Sequence, residues 1–445
     1  MRRVFRPISR LHDQLALRRA FIFNVSWATL DTLFQGITTL VVAVVVARVL
    51  GPDALGFWTY AFAVYSLALI FATLGTEQIV VLDIVKSEQR ARSVIATALA
   101  VRLGASIISA AAVFALSFAQ PSGKADLASL LAVLALAIPA MSFDVTRLWF
   151  RAQSRFEIPA IANIATMLLG SAAKILLLLA LGSLVYAGVA HVVQIVALQV
   201  TLLILLVTSY DKVAIADFDA NYAKSLLRAC LPLLASDLAI LIYARANIFL
   251  LDSLRSPAEV GIFSAVSRIS EAIYILPVVI GAVASPTMYR LYNDNRPLFL
   301  RRFDQILSGM TVTVLSLCGL IALFADDIIS MLFGATFAQS VPVLVIHVWT
   351  AFFVAQGLVS NIWLLAEKAT TIVLMRTLVG AVINICGGLL LIPHFGAAGA
   401  ATATLVAMAF SSMIALLWAG PIGHEIFWCQ LRSLVLMPLW RGMSK

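Results

Sequence analysis

The chain has 445 residues, of which 62% are apolar and 12% charged, and its mean hydropathy is +1.01. A soluble domain is about 45 to 50% apolar and about 25% charged, so this composition excludes a soluble fold. The 31 Lys and Arg exceed the 22 Asp and Glu, but they lie in short gaps between apolar runs. That placement is typical of membrane topology and not of nucleic-acid binding.

Twelve apolar runs of about 20 residues, the length that crosses a hydrocarbon layer, follow one another along the chain. They predict an all-α polytopic membrane protein with about twelve transmembrane helices. Before the first run, a basic segment resembles the start of a secretory signal but lacks a cleavage site, and we expect a short interfacial helix there. The predicted spans cover residues 22–47, 55–77, 94–118, 127–146, 158–181, 184–208, 229–251, 260–284, 304–325, 341–365, 370–392 and 397–419.

Basic residues are divided unevenly between the two sides of these spans. Of the 31 Lys and Arg, 23 lie at the termini and in the loops of one side, three lie on the other side and five lie inside spans. Because Lys and Arg concentrate in cytoplasmic loops, both termini are predicted to be cytoplasmic.

A weak internal repeat divides the spans into two halves. Pro52 and Gly56 align with Pro257 and Gly261 at a common shift along the chain. Six spans return the chain to its starting side, so we expect two six-helix lobes related by a pseudo-two-fold axis along the membrane normal. The predicted organisation is a basic segment 1–21, an N-terminal lobe 22–208, a cytoplasmic linker 209–228, a C-terminal lobe 229–420 and an amphipathic cytoplasmic tail 421–445.

Five cations lie inside predicted spans. A charge that faces lipid at mid-helix costs about 2.5 to 3.5 kcal/mol, so most of them must face protein or a water-filled cavity. Those closest to the span ends can instead extend to the membrane surface. The five residues are Arg102, Lys174, Arg245, Arg268 and Arg376.

Other polar residues recur at helical spacing on two spans. The first span carries Asn24, Asp31 and Gln35 on one stripe, and the eighth span carries Ser264, Arg268, Glu271 and Tyr274 on one face. Such amphipathic spans enclose water or a polar ligand.

Two of these acids have competing interpretations. Arg268 and Glu271 stand three residues apart, so they can equally form an ion pair that only fixes helix packing. Asp31 has no cation three or four residues away, which favours a functional role. His191, in the sixth span, is predicted to be a buried hydrogen-bonding residue rather than a proton carrier.

No pattern of a catalytic or cofactor site is present. The sequence has no GxSxG, HExxH or phosphate-binding Gly-Lys-Ser/Thr motif. The four cysteines lie far apart without metal-ligand spacing, and we expect inert thiols. The sequence therefore predicts no enzyme, no cofactor and no metal site.

Several motifs together resemble the polysaccharide-transporter (Wzx-type) oligosaccharide flippases. They are Ala-Arg-Val-Leu-Gly-Pro-Asp-Ala-Leu-Gly-Phe-Trp at 47–58, Leu-Gly-Thr-Glu at 74–77 and Val-Gly-Ile-Phe-Ser-Ala-Val-Ser-Arg-Ile-Ser-Glu at 260–271, followed by Leu-Pro277 and Ser-Pro286. The resemblance covers essentially the whole chain. That family belongs to the superfamily of multidrug and toxic compound exporters and lipid II flippases, which implies a MATE-like fold.

The resemblance also implies a function. Such proteins move undecaprenyl-diphosphate-linked oligosaccharides from the cytoplasmic to the outer leaflet of the bacterial inner membrane by alternating access, for lipopolysaccharide, exopolysaccharide or other surface glycans. The implied partners are this lipid-linked substrate, membrane lipids and a glycan polymerase or chain-length regulator, with no nucleic acid.

A lipid diphosphate requires cations in a wet site. Arg268 and Arg245, from spans expected to line a cleft, are the first candidates for the diphosphate, and Lys174, Arg102 and Arg376 extend the cationic set. The candidates for polar or aromatic contacts with the sugars are Asn24, Gln35, Ser264 and Tyr274.

Asp31 is similar in position to the first-span acid that multidrug exporters use for ion coupling. It is therefore the first candidate coupling group, and Glu271 and Asp237 are the others.

Two alternatives remain open at this point. An ion-coupled exporter of small organic cations would need acidic residues to dominate the interior, whereas the interior cations outnumber Asp31, Asp237 and Glu271. A polymerase or ligase would need a large outer loop with Arg or His, and the loops near 119–126 and 326–340 contain neither.

Overall fold

The computed structural model describes residues 6–209 and 218–434. The side chains of residues 6–22 and of a few single positions, Asn24 among them, lie outside this description. Every regular element in the described part is a helix, so the predicted all-α fold is confirmed.

Sixteen α-helices cover most of the described chain. The first eight are α1 (Arg6–Thr73), α2 (Glu77–Lys86), α3 (Ala91–Phe118), α4 (Ala125–Ala135), α5 (Val145–Ala152), α6 (Glu157–Leu181), α7 (Leu184–Ser209) and α8 (Ala220–Leu254). The others are α9 (Pro257–Ile273), α10 (Ile275–Asp294), α11 (Arg296–Leu323), α12 (Ala325–Leu332), α13 (Ser340–His347), α14 (Thr350–Ala366), α15 (Thr370–Ser412) and α16 (Gly420–Leu434). Short 3-10 turns lie between several of them.

Ten helical segments of the described chain are long and apolar enough to cross a membrane. Two of them are 58 and 49 residues long, more than twice the length of about 20 residues that one crossing needs. Each is interrupted by a glycine with non-helical backbone, Gly51 at φ 84° and Gly396 at φ 55°. Positive φ is readily adopted only by glycine. All twelve predicted spans overlap these ten segments, the two long ones overlapping two spans each, and only residues 22–28, 324–325 and 419 of the predicted spans lie outside them.

The chain forms two compact units. Unit 1 consists of Met1–Val42 and Val64–Ala239, and unit 2 consists of Ala43–Ala63 and Ile240–Lys445. The predicted lobe boundaries remain predictions. The two units differ from the predicted lobes chiefly at residues 43–63 of α1, which pack with the second half of the chain.

The core of unit 1 is an apolar cluster beside a sharp bend. Side chains of α2, α3, α5, α7 and α8 are buried together there, including Ile84, Phe150 and Leu202. The chain enters α2 through Leu74 and Gly75, which both have positive φ of 53° and 63°. A Cβ at Gly75 would crowd the backbone of α8, so this position requires glycine for two reasons.

The core of unit 2 combines an aromatic cluster with a buried polar network. The rings of Phe299 and Phe303 on α11 pack edge-on against Trp363 of α14, with centroids 5.3 and 5.0 Å away.

The polar network joins α16 to the rest of unit 2. Fully buried Gln430 donates from Nε2 to the hydroxyl of Ser360 (2.8 Å) and to the carbonyl of Ser412 (3.1 Å). Beside it, Gln356 donates to Thr311 (2.7 Å). These bonds fix α16 against α14 and α15 and join α14 to α11.

Replacing Gln430 by Ala should destabilise unit 2, because each buried polar group left without a partner costs about 1 to 3 kcal/mol. The thermal unfolding midpoint of the purified protein in detergent should fall, whereas Gln339→Ala, at an exposed position, should leave it unchanged. Equal midpoints for the two variants would contradict the structural role of Gln430.

Candidate functional site

Unit 2 holds a charge cluster within its membrane spans, formed by Arg245 of α8 and by Arg268 and Glu271 of α9. Glu271 interacts electrostatically with both arginines. The Nε atoms of Arg245 and Arg268 are buried and have no hydrogen-bond partner, and the Glu271 side chain is exposed. We call these three residues the cationic cluster.

The cationic cluster has one more positive than negative charge. A single carboxylate cannot neutralise two guanidinium groups, so a simple Arg268–Glu271 ion pair does not account for it. Unpartnered guanidinium N–H groups in a low-dielectric region attract anions strongly and can bind a phosphate through two parallel hydrogen bonds. The arrangement is therefore suited to an anionic ligand.

Two tyrosines accompany the cluster. The hydroxyl of Tyr274 shares a 2.8 Å hydrogen bond with Thr350 of α14, and Tyr274 interacts electrostatically with Glu271 and Tyr243. Tyr243 also donates to the sulfur of Met408 (3.4 Å). Tyr243 was not predicted from the sequence, although it is the only tyrosine in the predicted span 229–251.

The predicted polar residue Ser264 has a local role. It is 2% exposed, and its hydroxyl donates to the carbonyl of Val260 in the preceding turn (2.6 Å). The hydroxyl hydrogen of Ser264 is therefore already used in a hydrogen bond within α9.

The other three predicted cations are buried by protein and have partners of their own. Arg376 of unit 2 donates to the carbonyl of Ser411 (2.8 Å). In unit 1, Lys174 donates to Gln194 (2.6 Å), where Gly170 allows α6 to approach α7 closely. Nearby on α7, the ring of His191 packs edge-on against Tyr65.

Arg102 lies at the centre of a second charged region, in unit 1. It is 0% exposed, and its Nε donates to the hydroxyl of Thr76 (2.6 Å). The adjacent Glu77 accepts from Arg151 (3.3 Å). The Leu-Gly-Thr-Glu motif at 74–77 thus forms the bend and holds Arg102, which does not extend to the membrane surface.

Asp31 has a neutral partner in unit 1. Its Oδ1 accepts a 2.6 Å hydrogen bond from the side-chain amide of Asn163 on α6, and Asp31 is half-buried. Because the amide is neutral, this hydrogen bond places no counter-charge beside the carboxylate. The partner Asn163 could not be identified from the sequence, because it is 132 positions away.

The remaining predicted residues are Gln35, Asp237 and Asn24. Gln35 on α1 and Asp237 on α8 have exposed side chains. Asn24 is on the same helix as Asp31, but its side chain lies outside the described residues.

Comparisons with solved structures agree on one fold. A lipid II flippase, MurJ, in an inward closed conformation is 15% identical, with a TM-score of 0.71 over 95% of this chain and 93% of that chain. An inward-facing multidrug resistance MATE family transporter is 16% identical, with a TM-score of 0.69 over 89% and 95%. A MOP superfamily transporter from Pyrococcus furiosus, described as having a binding pocket of reverse polarity, is 15% identical, with a TM-score of 0.59 over 92% and 96%.

These likenesses confirm the predicted MATE-like fold. No curated protein matches the sequence. The model of a family described as "polysaccharide biosynthesis protein" matches residues 45–342, well over half of the chain. The chain is therefore a multi-pass membrane protein with the fold of the MOP superfamily, and it belongs to the polysaccharide biosynthesis protein family.

Proposed function

We propose that this protein is a flippase that moves undecaprenyl-diphosphate-linked oligosaccharide repeat units from the cytoplasmic to the outer leaflet by alternating access. The observation that carries the proposal is the cationic cluster, in which Arg245 and Arg268 have buried, unpartnered Nε atoms inside membrane spans. The polysaccharide family and the transporter fold support the same class of function.

The diphosphate is the part of this substrate that the cationic cluster would bind. Two guanidinium groups can offer paired N–H donors to phosphate oxygens, and the excess positive charge offsets the loss of phosphate hydration. Glu271 reduces the charge of the cluster to one net positive charge, and its repulsion must be outweighed when a diphosphate binds. An anion that moves outward also gains about 2.3 kcal/mol per charge per 100 mV of inside-negative potential.

The sugars would be bound by polar and aromatic side chains. Tyr274 and Tyr243 offer aromatic faces and hydroxyl groups, and Ser264, Gln35 and Asn24 remain proposed polar contacts. The polyprenyl chain is apolar, so it can stay in the surrounding lipid.

Asp31 and Asn163 form the proposed coupling site. A half-buried carboxylate that is bonded to an amide can exchange a proton or a monovalent cation as its surroundings change. Glu271 and Asp237 remain the other proposed coupling groups.

The remaining assignments follow from the proposed function. The protein would lie in the bacterial inner membrane with both termini cytoplasmic, and its product would pass to a glycan polymerase or chain-length regulator. Lys174, Arg102 and Arg376 stay in the proposed cationic set, but in a secondary place, because each already has a hydrogen-bond partner.

Export of small organic cations is the second candidate function, since the MATE transporters share the fold. A net positive cluster would repel such substrates. Purified protein should therefore bind undecaprenyl diphosphate more tightly than undecaprenyl monophosphate and should not bind an organic cation such as ethidium. The opposite order would favour the exporter.

Removing one guanidinium from the cluster should strongly weaken transport. A charge-assisted hydrogen bond contributes about 1.5 to 3 kcal/mol, so Arg268→Ala should lower export roughly 10- to 100-fold. The loss is measured as the amount of surface glycan in cells that depend on this protein for glycan export. Arg302→Ala, at an exposed arginine of α11, is the matched control, and normal export by the Arg268 variant would refute the assignment.

Neutralising Asp31 should uncouple transport from the ion gradient. In proteoliposomes, Asp31→Asn should transport at a rate that does not change when a proton or sodium gradient is imposed. Asp126→Asn alters an exposed acid of the same unit and should retain the dependence. A gradient response in the Asp31 variant equal to that of the unaltered protein would exclude the coupling role.

A further inference from the structure

The hydrogen bond between Tyr274 and Thr350 in unit 2 has a fixed direction. Thr350 is fully buried, and its hydroxyl donates to the carbonyl of His347 (2.6 Å). A carbonyl only accepts, so this bond uses the one hydrogen that the threonine hydroxyl carries. The 2.8 Å bond between the two hydroxyls must then be donated by Tyr274. The Tyr274 oxygen therefore keeps a lone pair for a ligand but has no hydrogen left to offer.

The local sequence explains why this direction is hard to reverse. α13 ends at His347, and the last carbonyls of a helix have no partner within it. Thr350, the first residue of α14, returns its hydroxyl to that carbonyl three residues back. Turning the Thr350 hydroxyl toward Tyr274 would leave a buried carbonyl without this partner, which is unfavourable. Tyr274 should therefore remain an acceptor when a ligand binds.

Tyr243, which interacts electrostatically with Tyr274, is not restricted in this way. Its hydroxyl donates to the sulfur of Met408 at 3.4 Å, and a thioether is only a weak acceptor. A ligand oxygen can readily take that hydrogen instead. Tyr243 can thus donate or accept, whereas Tyr274 can only accept.

Glu271 adds a second acceptor to the site. Its side chain is exposed, and it interacts electrostatically with Tyr274, three residues further along the chain. An ionised carboxylate has no hydrogen to donate. Arg245 and Arg268 are the opposite case, because a guanidinium only donates. The site therefore combines two groups that only donate with two groups that only accept.

This division restricts which part of the proposed substrate each group can contact. The diphosphate that joins a polyprenyl chain to a sugar is a diester, so both of its phosphates are ionised and carry no hydrogen. Its oxygens can accept from the two arginines, but they cannot form a hydrogen bond with Tyr274 or Glu271. The hydroxyl and amide groups of the adjacent sugar carry the hydrogens that these two acceptors need.

We propose that Tyr274 is a specificity-determining residue, which together with Glu271 accepts hydrogen bonds from donor groups of the sugar that is attached to the diphosphate. The diphosphate itself bonds to Arg245 and Arg268 and not to Tyr274. This inference rests on the proposed function and assigns the acceptors of the same site to the first sugar.

Tyr274→Phe removes the acceptor oxygen and keeps the ring, so it tests this assignment. The probes are a sugarless diester, undecaprenyl methyl diphosphate, the undecaprenyl diphosphate that carries glucose, and analogues of this glucose lipid in which one hydroxyl is replaced by fluorine. Fluorine is similar in size to a hydroxyl but donates no hydrogen bond. Affinities are measured with the purified protein in nanodiscs. Tyr289→Phe, on α10 of the same unit, is the matched control.

The unaltered protein should bind the glucose lipid about 2- to 10-fold more tightly than at least one fluorinated analogue, which is the effect of one hydrogen bond. Tyr274→Phe should bind the glucose lipid more weakly by the same factor and should not discriminate against that analogue. It should bind the sugarless diester as tightly as the unaltered protein does. Tyr289→Phe should match the unaltered protein with every probe.

Two outcomes would overturn the inference and leave the proposed function intact. One is an equal loss of affinity for the sugarless diester and the glucose lipid in Tyr274→Phe, since the tyrosine would then act on the diphosphate or on the shape of the site. The other needs no variant, and it is an unaltered protein that binds every fluorinated analogue as tightly as the glucose lipid. If the unaltered protein binds neither lipid, or if Arg268→Ala binds both as tightly as the unaltered protein, the proposed function is wrong and so is this inference.

Discussion

The constraint on which this structure depends is the absence of water in the bilayer interior, where each polar group must find its partner within the protein. Arg102, Lys174 and Arg376 obey it in part. Each is buried and donates to a hydroxyl, an amide or a carbonyl, although Nη1 and Nη2 of Arg102 and Nη1 of Arg376 have no partner. The Nε atoms of Arg245 and Arg268 also have no partner. What distinguishes the first three cations is that each is tied to another part of the protein by at least one side-chain hydrogen bond.

A second consequence of the lipid environment concerns helix packing. Apolar side chains gain little by leaving lipid for protein, so close backbone approach and hydrogen bonding decide which helices associate. Glycines allow close approach in both units. In unit 1, Gly170 packs against Gln194, and in unit 2, Gly56 packs against Pro257 and Gly261 against Pro52. The Pro-x-x-x-Gly repeat in the sequence therefore has a physical reason, because its matched prolines and glycines contact each other.

Hydropathy alone predicts most of the fold. The twelve spans fall within helices because length and apolar content are the only properties that a crossing requires. Charge spacing likewise places Arg268 and Glu271 on one face of α9. The partners of Asp31 and Arg102 were not predictable, since Asn163 and Thr76 meet them through tertiary packing across separate helices. Arg102 shows the limit of position within a span as a guide, because it lies near the end of a predicted span and is nevertheless fully buried and bonded to Thr76.

The network around Gln430 has a consequence for biogenesis. α16 follows the other described helices of unit 2 along the chain, so it leaves the ribosomal tunnel after them. Until it emerges, Ser360 and the carbonyl of Ser412 lack the amide of Gln430 that they accept from in the folded unit. Unit 2 therefore completes its buried polar network only once α16 has been made, and a chain truncated before Gln430 would keep those groups without this partner.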